Sequence, residues 1–146
     1  MGNKPSNLSL PQKALIQYRM TEFVIEHLID CVRALDGDLH LALILAVVGQ
    51  ASLKRFVHAP EGGLDVFDRS ISASRLADIT GLPRQTVRRK LIIAQERGWL
   101  EQTDNRAWRI VSDGERIPVR EALEGIYERG LTRGLRFAGE LKHLTE

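Results

Sequence analysis

The chain of 146 residues holds a single cysteine, Cys31, which cannot close an internal disulfide, so a cystine-stapled scaffold is excluded. Its apolar neighbours at helical spacing make it a buried small hydrophobe by expectation. The histidines, His27, His40, His58 and His143, are scattered and join no cysteine or carboxylate at metal-ligand spacing, so no metal site is expected. The longest nearly uninterrupted apolar run, Leu41 to Val48, falls far short of the ~20 residues that cross a bilayer, and no membrane partner is expected. Met1 to Asn7 show no apolar stretch with a small-residue cleavage site behind it, which predicts a cytoplasmic protein. A glycine-rich phosphate loop, a nucleophile elbow and a paired acid and base at useful spacing are missing too. No catalytic residue and no cofactor are therefore predicted, and an enzyme is the weakest reading.

What is present suits one domain with appended helices: hydrophobic residues make up 43% and charged residues 27%, enough for a packed core and too apolar for a disordered chain. The formal net charge of +2 hides an uneven distribution. Residues 1–68 carry −2, residues 69–111 carry +5 and residues 112–146 carry −1. A basic segment on a nearly neutral scaffold is what a polyanion-binding element shows, although a solvated basic face would show it as well.

Apolar periodicity and capping signals divide the chain into five stretches. Residues 1–10 form a flexible leader. Residues 11–57 hold two helices, the first starting near Pro11 and carrying Leu15, Tyr18, Ile25, Leu28, Ile29, Val32 and Leu35 at three- and four-residue steps. Its polar stripe, Arg19, Glu22, Glu26, Asp30 and Arg33, is narrow, so more of its surface needs cover than one small domain offers, and a second chain is implied. Asp36-Gly37-Asp38 ends that helix and caps the next, Leu39 to Val57, which is apolar nearly all round at its start. Residues 58–71, with Pro60, Gly62 and Gly63, form a loop. Residues 72–111 hold a helix from Ala73 to Thr80, a second from Pro83 to Arg97, and a β-hairpin of Trp99 to Thr103 and Ala107 to Val111. Residues 112–146 form one long helix over about 118–143, entered at Pro118 or through the capping-box spacing of Ser112 and Glu115. Gly125, Gly130, Gly134 and Gly139 weaken this helix and suit a close approach by another.

Within residues 73–92 the spacing of Ala77, Gly81 and Val87 is that of two helices crossing at a small residue, turning on a positive φ, and locked by an apolar side chain. Leu76, Leu82, Leu91 and Ala94 supply the other inward contacts, which leaves Arg84, Gln85, Thr86, Arg88 and Arg89 on or beside the outward face. A major groove admits a helix, arginine makes two hydrogen bonds to a guanine edge and glutamine suits adenine, so this face carries the side chains that read base pairs. Trp99 and Trp108 are expected at the root of the hairpin.

The segment Ser72 to Arg89 resembles the winged helix-turn-helix regulators of bacteria, and the likeness extends through Gly98-Trp99-Leu100-Glu101 and the hairpin, about 40 residues in all. Arg84-Gln85-Thr86-Val87-Arg88 looks like the recognition helix of GntR-type proteins, while the order of long helix, core helix, winged motif and long final helix is similar to MarR-type dimers. The fold implied is mainly α with a small β-hairpin wing and with long N- and C-terminal dimerisation helices. Pro83 departs from the pattern where such helices often carry a phosphate-contacting serine, and Lys90 departs where an aliphatic residue is usual. By this resemblance Arg84, Gln85, Thr86 and Arg88 approach bases or nearby phosphates. Arg75 and Arg89 meet phosphate or a neighbouring acid, and Arg106 at the hairpin tip reaches backbone or minor groove. Arg109 is either a further wing contact or part of an ordinary solvated hairpin. The partners implied are double-stranded DNA, a second copy of the chain reading an inverted repeat with half-sites ~10 bp apart, and a small aromatic or phenolic effector. Two other uses of such a motif stay open on the sequence: plasmid replication or partition, and docking of RNA or protein.

Overall fold

The computed structural model describes residues 4–58 and 69–145. The chain is mainly helical with a small antiparallel sheet, and it divides into two compact units, Met1–Asp36 with Glu124–Glu146, and Gly37–Leu123. Among the described residues no helix is long and apolar enough to cross a membrane.

The first unit is a pair of helices. Ser9 starts α1 (Leu10–Ala34) with a reciprocal cap: its Oγ accepts from the Gln12 backbone N–H and its own N–H donates to Gln12 Oε1 at 2.9 Å. The expected leader of residues 1–10 thus ends in a defined cap, preceded by a short 3-10 turn at Pro5–Asn7. Asp36 and Gly37, both with positive φ, follow α1. The partner helix, α6 (Glu124–Thr145), runs antiparallel to α1, because Gln12 Nε2 donates to the Leu144 carbonyl at 3.3 Å, Phe23 stacks on Phe137 and Asp30 meets Arg129.

The single helix expected over 118–143 is interrupted. Leu123, at φ −112° and ψ 20°, leaves the helical region and separates α5 (Pro118–Ala122) from α6. The break falls where one unit ends and the other begins, so the regular apolar spacing serves two cores in succession, Val119 and Leu123 in one and Ile126 in the other. Pro118 occupies the first turn of α5, where its missing N–H costs nothing. The expected capping box at Ser112 is absent. Asp113 Oδ1 instead accepts the Glu115 and Arg116 amides at 3.1 and 2.7 Å, and these two bonds hold its carboxyl below the usual range.

The second unit is built round α2 (Leu39–His58), whose first turn is capped by Asp38 Oδ1 accepting from the Leu41 N–H at 3.0 Å. Leu41, Ile44 and Val48 are fully buried at helical spacing, and Ser52 beneath them donates to the Val48 carbonyl. Against α2 pack α3 (Ala73–Thr80), α4 (Arg84–Glu96) and the sheet strand β3. The sheet is three-stranded, in the order β1 (Ile71–Ser72), β3 (Ala107–Ile110), β2 (Leu100–Gln102), with Ile71 opposite Trp108 and Glu101 opposite Arg109. The hairpin is the expected one, whereas β1 is an addition: two residues are too few to show a period. Gly49 lets α2 pass close to the sheet, since a Cβ there would lie 3.7 Å from Ile110 Cδ1. Most of the expected loop 58–71 lies outside the described residues.

Candidate nucleic-acid interface

The turn between α3 and α4 sets where the outward side chains stand. Gly81, at φ 70°, closes α3 by donating to the Ala77 carbonyl at 2.9 Å, a left-handed conformation that an L side chain adopts only at a cost. Thr80 braces the same turn, its Oγ1 donating to the Leu76 carbonyl and accepting from the Leu82 N–H. Leu76, Val87, Leu91 and Ala94 are wholly buried and Ala77 nearly so, which is the expected crossing of two helices at a small residue. Once Val87, Leu91 and Ala94 point inward, a 3.6-residue period turns Gln85, Arg89 and Ile92 outward, flanked by Arg84 and Arg88.

The structure brings Arg84, Gln85, Arg88 and Arg89 together in the first two turns of α4, all exposed, with Thr86 half-buried on one flank. Arg75 is exposed in the first turn of α3, where Ser72 Oγ accepts its backbone N–H. Among the described residues Arg75, Arg84, Arg88 and Arg89 form no ion pair, so the acid contact open to Arg75 and Arg89 is not made within this unit's described part. Pro83 precedes α4 without a side-chain cap and no acid lies in the first turn, which leaves that end's N–H groups and positive dipole uncompensated.

Lys90, the polar residue at an otherwise aliphatic position, turns toward α2, where its Nζ lies 2.7 Å from Asp38 Oδ2. Burial alone would push the Asp38 carboxyl up. The Lys90 ammonium and the Leu41 amide outweigh it and hold Asp38 below the usual range. One carboxylate thus caps α2 and ties α4 to it. Fifty-two residues separate the two, a distance no sequence pattern spans.

In the hairpin the two candidates part company. Arg109 lies in β3 with its Nε 2.8 Å from Oε1 of Glu101, the residue opposite it in register, so its charge is balanced on the protein. Arg106 sits in the turn between the strands, exposed, at a φ of 63°, and forms no ion pair among the described residues. Its backbone N–H donates to the Thr103 carbonyl and its carbonyl accepts from Gln102 Nε2. Trp99 and Trp108 are buried at the root of the hairpin, and the Arg97 guanidinium stacks on the Trp99 ring at 4.9 Å, a contact the sequence reading missed.

The other unit treats arginine in the opposite way. Arg133 Nη1 lies 2.6 Å from Asp30 Oδ2, Arg129 Nε lies 3.1 Å from both Asp30 oxygens, and Arg136 Nη2 reaches Glu26 at 2.8 Å. Burial would raise the Asp30 carboxyl, but the two guanidinium bonds dominate and lower it. The stripe of α1 expected to face solvent, Arg19, Glu26 and Asp30, therefore faces α6. Its apolar stripe stays bare within the chain, with Tyr18 61% exposed and Ile25, Ile29 and Val32 partly so, beside Leu131 and Leu135 of α6. The expected close helix approach at glycine is not made inside the chain either, because a Cβ at Gly130, Gly134 or Gly139 would meet nothing within 4 Å. The shallow hollow of about 280 Å³ over this seam is lined by Glu26, Glu128, Arg129, Thr132 and Arg133, unlike the apolar wall an aromatic effector needs.

Cys31 is buried with its Sγ 3.8 Å from His27 Nε2, and burial together with the Asp30 charge pushes the thiol up, away from the reactive thiolate. Among the described residues no group of three or more His, Cys, Asp or Glu could hold a metal ion. No protein-family model, no curated protein and no solved structure matches the chain.

Proposed function

We propose that the chain is a sequence-specific DNA-binding transcription regulator of the winged helix-turn-helix kind, acting as a homodimer on an inverted repeat. In this reading α4 enters the major groove, and the hairpin, through Arg106, touches backbone or minor groove. The observation that carries it is the contrast in how arginine is used. Around the α1–α6 seam Arg19, Arg129, Arg133 and Arg136 are bound to carboxylates, whereas Arg75, Arg84, Arg88, Arg89 and Arg106 form no ion pair with any described residue. A cluster of free guanidiniums at an uncapped helix start suits the phosphates and guanine edges of a duplex. Arg109 leaves the contact set, because Glu101 already holds it.

The bare apolar stripes of α1 and α6 support the dimer. A helix pair that turns its charges inward and leaves Tyr18, Ile25, Leu131 and Leu135 exposed gains from burial by a second copy, and one helix in one groove reads too few base pairs for useful specificity. The test is selection of genomic fragments by the purified protein at about 150 mM salt, where binding to phosphate alone is weak. An enriched inverted repeat with half-sites about one helical turn apart is the expected result. Tandem repeats at a replication origin, or no enrichment, would overturn the reading.

A further inference from the structure

On the outward face of α4 one residue is out of keeping with its surroundings. Ile92 is 50% exposed, while the inward positions Val87, Leu91 and Ala94 are fully buried. Arg88 and Arg89 stand one turn before it and Glu96 one turn after, all exposed. Core packing does not account for its type, and a charged or polar residue in its place would leave the helix and its hydration better served. Ile92 also lies on the same stripe as Gln85 and Arg89, seven and three residues back. At a rise of 1.5 Å per residue it stands about 10 Å along the axis from Gln85, roughly three base pairs further along a groove.

Resting on the nucleic-acid reading above, we propose that Ile92 is a specificity-determining residue that reads the 5-methyl group of a thymine. The edges of base pairs in the major groove offer donors and acceptors to arginine and glutamine, and a single apolar feature, the thymine methyl. An aliphatic side chain held among groove-facing arginines meets that methyl when the base is thymine and meets the polar N4 amino side of the groove when a cytosine stands there instead. Burying one methyl corresponds to about a four-fold change in Kd. Ile92 therefore adds discrimination at a base pair about three steps from the one nearest Gln85, without a hydrogen bond.

The test is a methyl-removal scan on the selected operator at about 150 mM salt, each thymine of a half-site replaced singly by deoxyuridine, with binding of the wild-type protein and of Ile92→Ala measured by fluorescence anisotropy. The variant should fold, because Ile92 is exposed and alanine favours helix. The expected result is one position where deoxyuridine weakens the wild-type protein about four-fold and leaves Ile92→Ala unaffected, while every other position behaves alike in both. Equal sensitivity of the two proteins at every position, or no sensitivity at all, overturns the role of Ile92 and leaves the regulator reading standing. A wild-type protein that shows no preference for any duplex overturns both. If Ile92→Ala keeps full affinity and all deoxyuridine effects, Ile92 is the anchor of a protein contact shared with the exposed Ile79 of α3, and the thymine proposal falls.

Discussion

Replacing Arg106 by glycine separates what the hairpin needs from what a duplex needs. A non-glycine residue at a φ of 63° costs about 1–2 kcal/mol, and glycine returns about 0.5–1 kcal/mol of that through its freer unfolded chain. The net change lies between about 0 and 1.5 kcal/mol in favour of glycine. The Thr103 and Gln102 bonds at this residue go to its backbone and survive the change. Arg106→Gly should therefore keep or raise the melting temperature, by at most about 5 °C for a chain of this length. DNA binding should move the other way, with the slope of log K against log salt falling by about 0.9 for one lost phosphate contact. Thermal unfolding by circular dichroism and salt-titrated anisotropy give the two numbers, and Arg106→Lys, which keeps charge and strain, should leave the slope nearly unchanged. Loss of more than 1 kcal/mol of stability would show that the guanidinium holds the hairpin together, and an unchanged slope would show that it touches no phosphate.

Arg84→Ala should relax preference at one base pair of each half-site by about 1–3 kcal/mol, read by binding to single-base operator variants, with random DNA bound nearly as before. Asp30→Asn should cost about 3–5 kcal/mol in chemical denaturation, because it leaves the buried Arg133 without its carboxylate. Since the folded Asp30 carboxyl lies below its unfolded value, its contribution is complete above the ordinary carboxylate range near pH 4 and is lost as pH falls through the lower folded value. Acid titration of the wild-type protein should show that loss, and Asp30→Asn should not. Ile25→Glu with Ile29→Glu on the bare stripe of α1 should give monomers by light scattering with unchanged helix content; a dimer would place the interface elsewhere. Cys31 should react with iodoacetamide at neutral pH more slowly in the folded protein than in the unfolded one.

Elements set by neighbouring residues were legible in the sequence. Ser72, Gly81 and Pro83 punctuate α3 and α4 within a few residues of where the helices start and stop, and Trp99 and Trp108 frame the hairpin as expected. The Ser9–Gln12 cap carried the same kind of local signature and was open to the same reasoning. The failures are long-range. Whether the charged stripe of α1 meets water or α6 depends on Asp30 meeting Arg133, 103 residues away, and amphipathic patterning assigns polar stripes to solvent by default. The break at Leu123 stayed hidden because apolar spacing continues across it. Of the candidate contacts, the α4 arginines followed from helix periodicity, whereas Arg109 was settled only by strand register, which placed Glu101 opposite.

In chain order the Gly37–Leu123 unit is an insertion between the two helices of the other unit, and this sets the order of events during synthesis. At about 5–20 residues per second, α6 follows α1 from the ribosome by some 5–20 s. The inserted unit is continuous in sequence and is free to fold in that interval, while Glu26 and Asp30 of α1 await the arginines that will neutralise them. The acidic stripe keeps the waiting helix hydrated on one side, and its bare apolar stripe is the surface a chaperone would hold until α6 arrives.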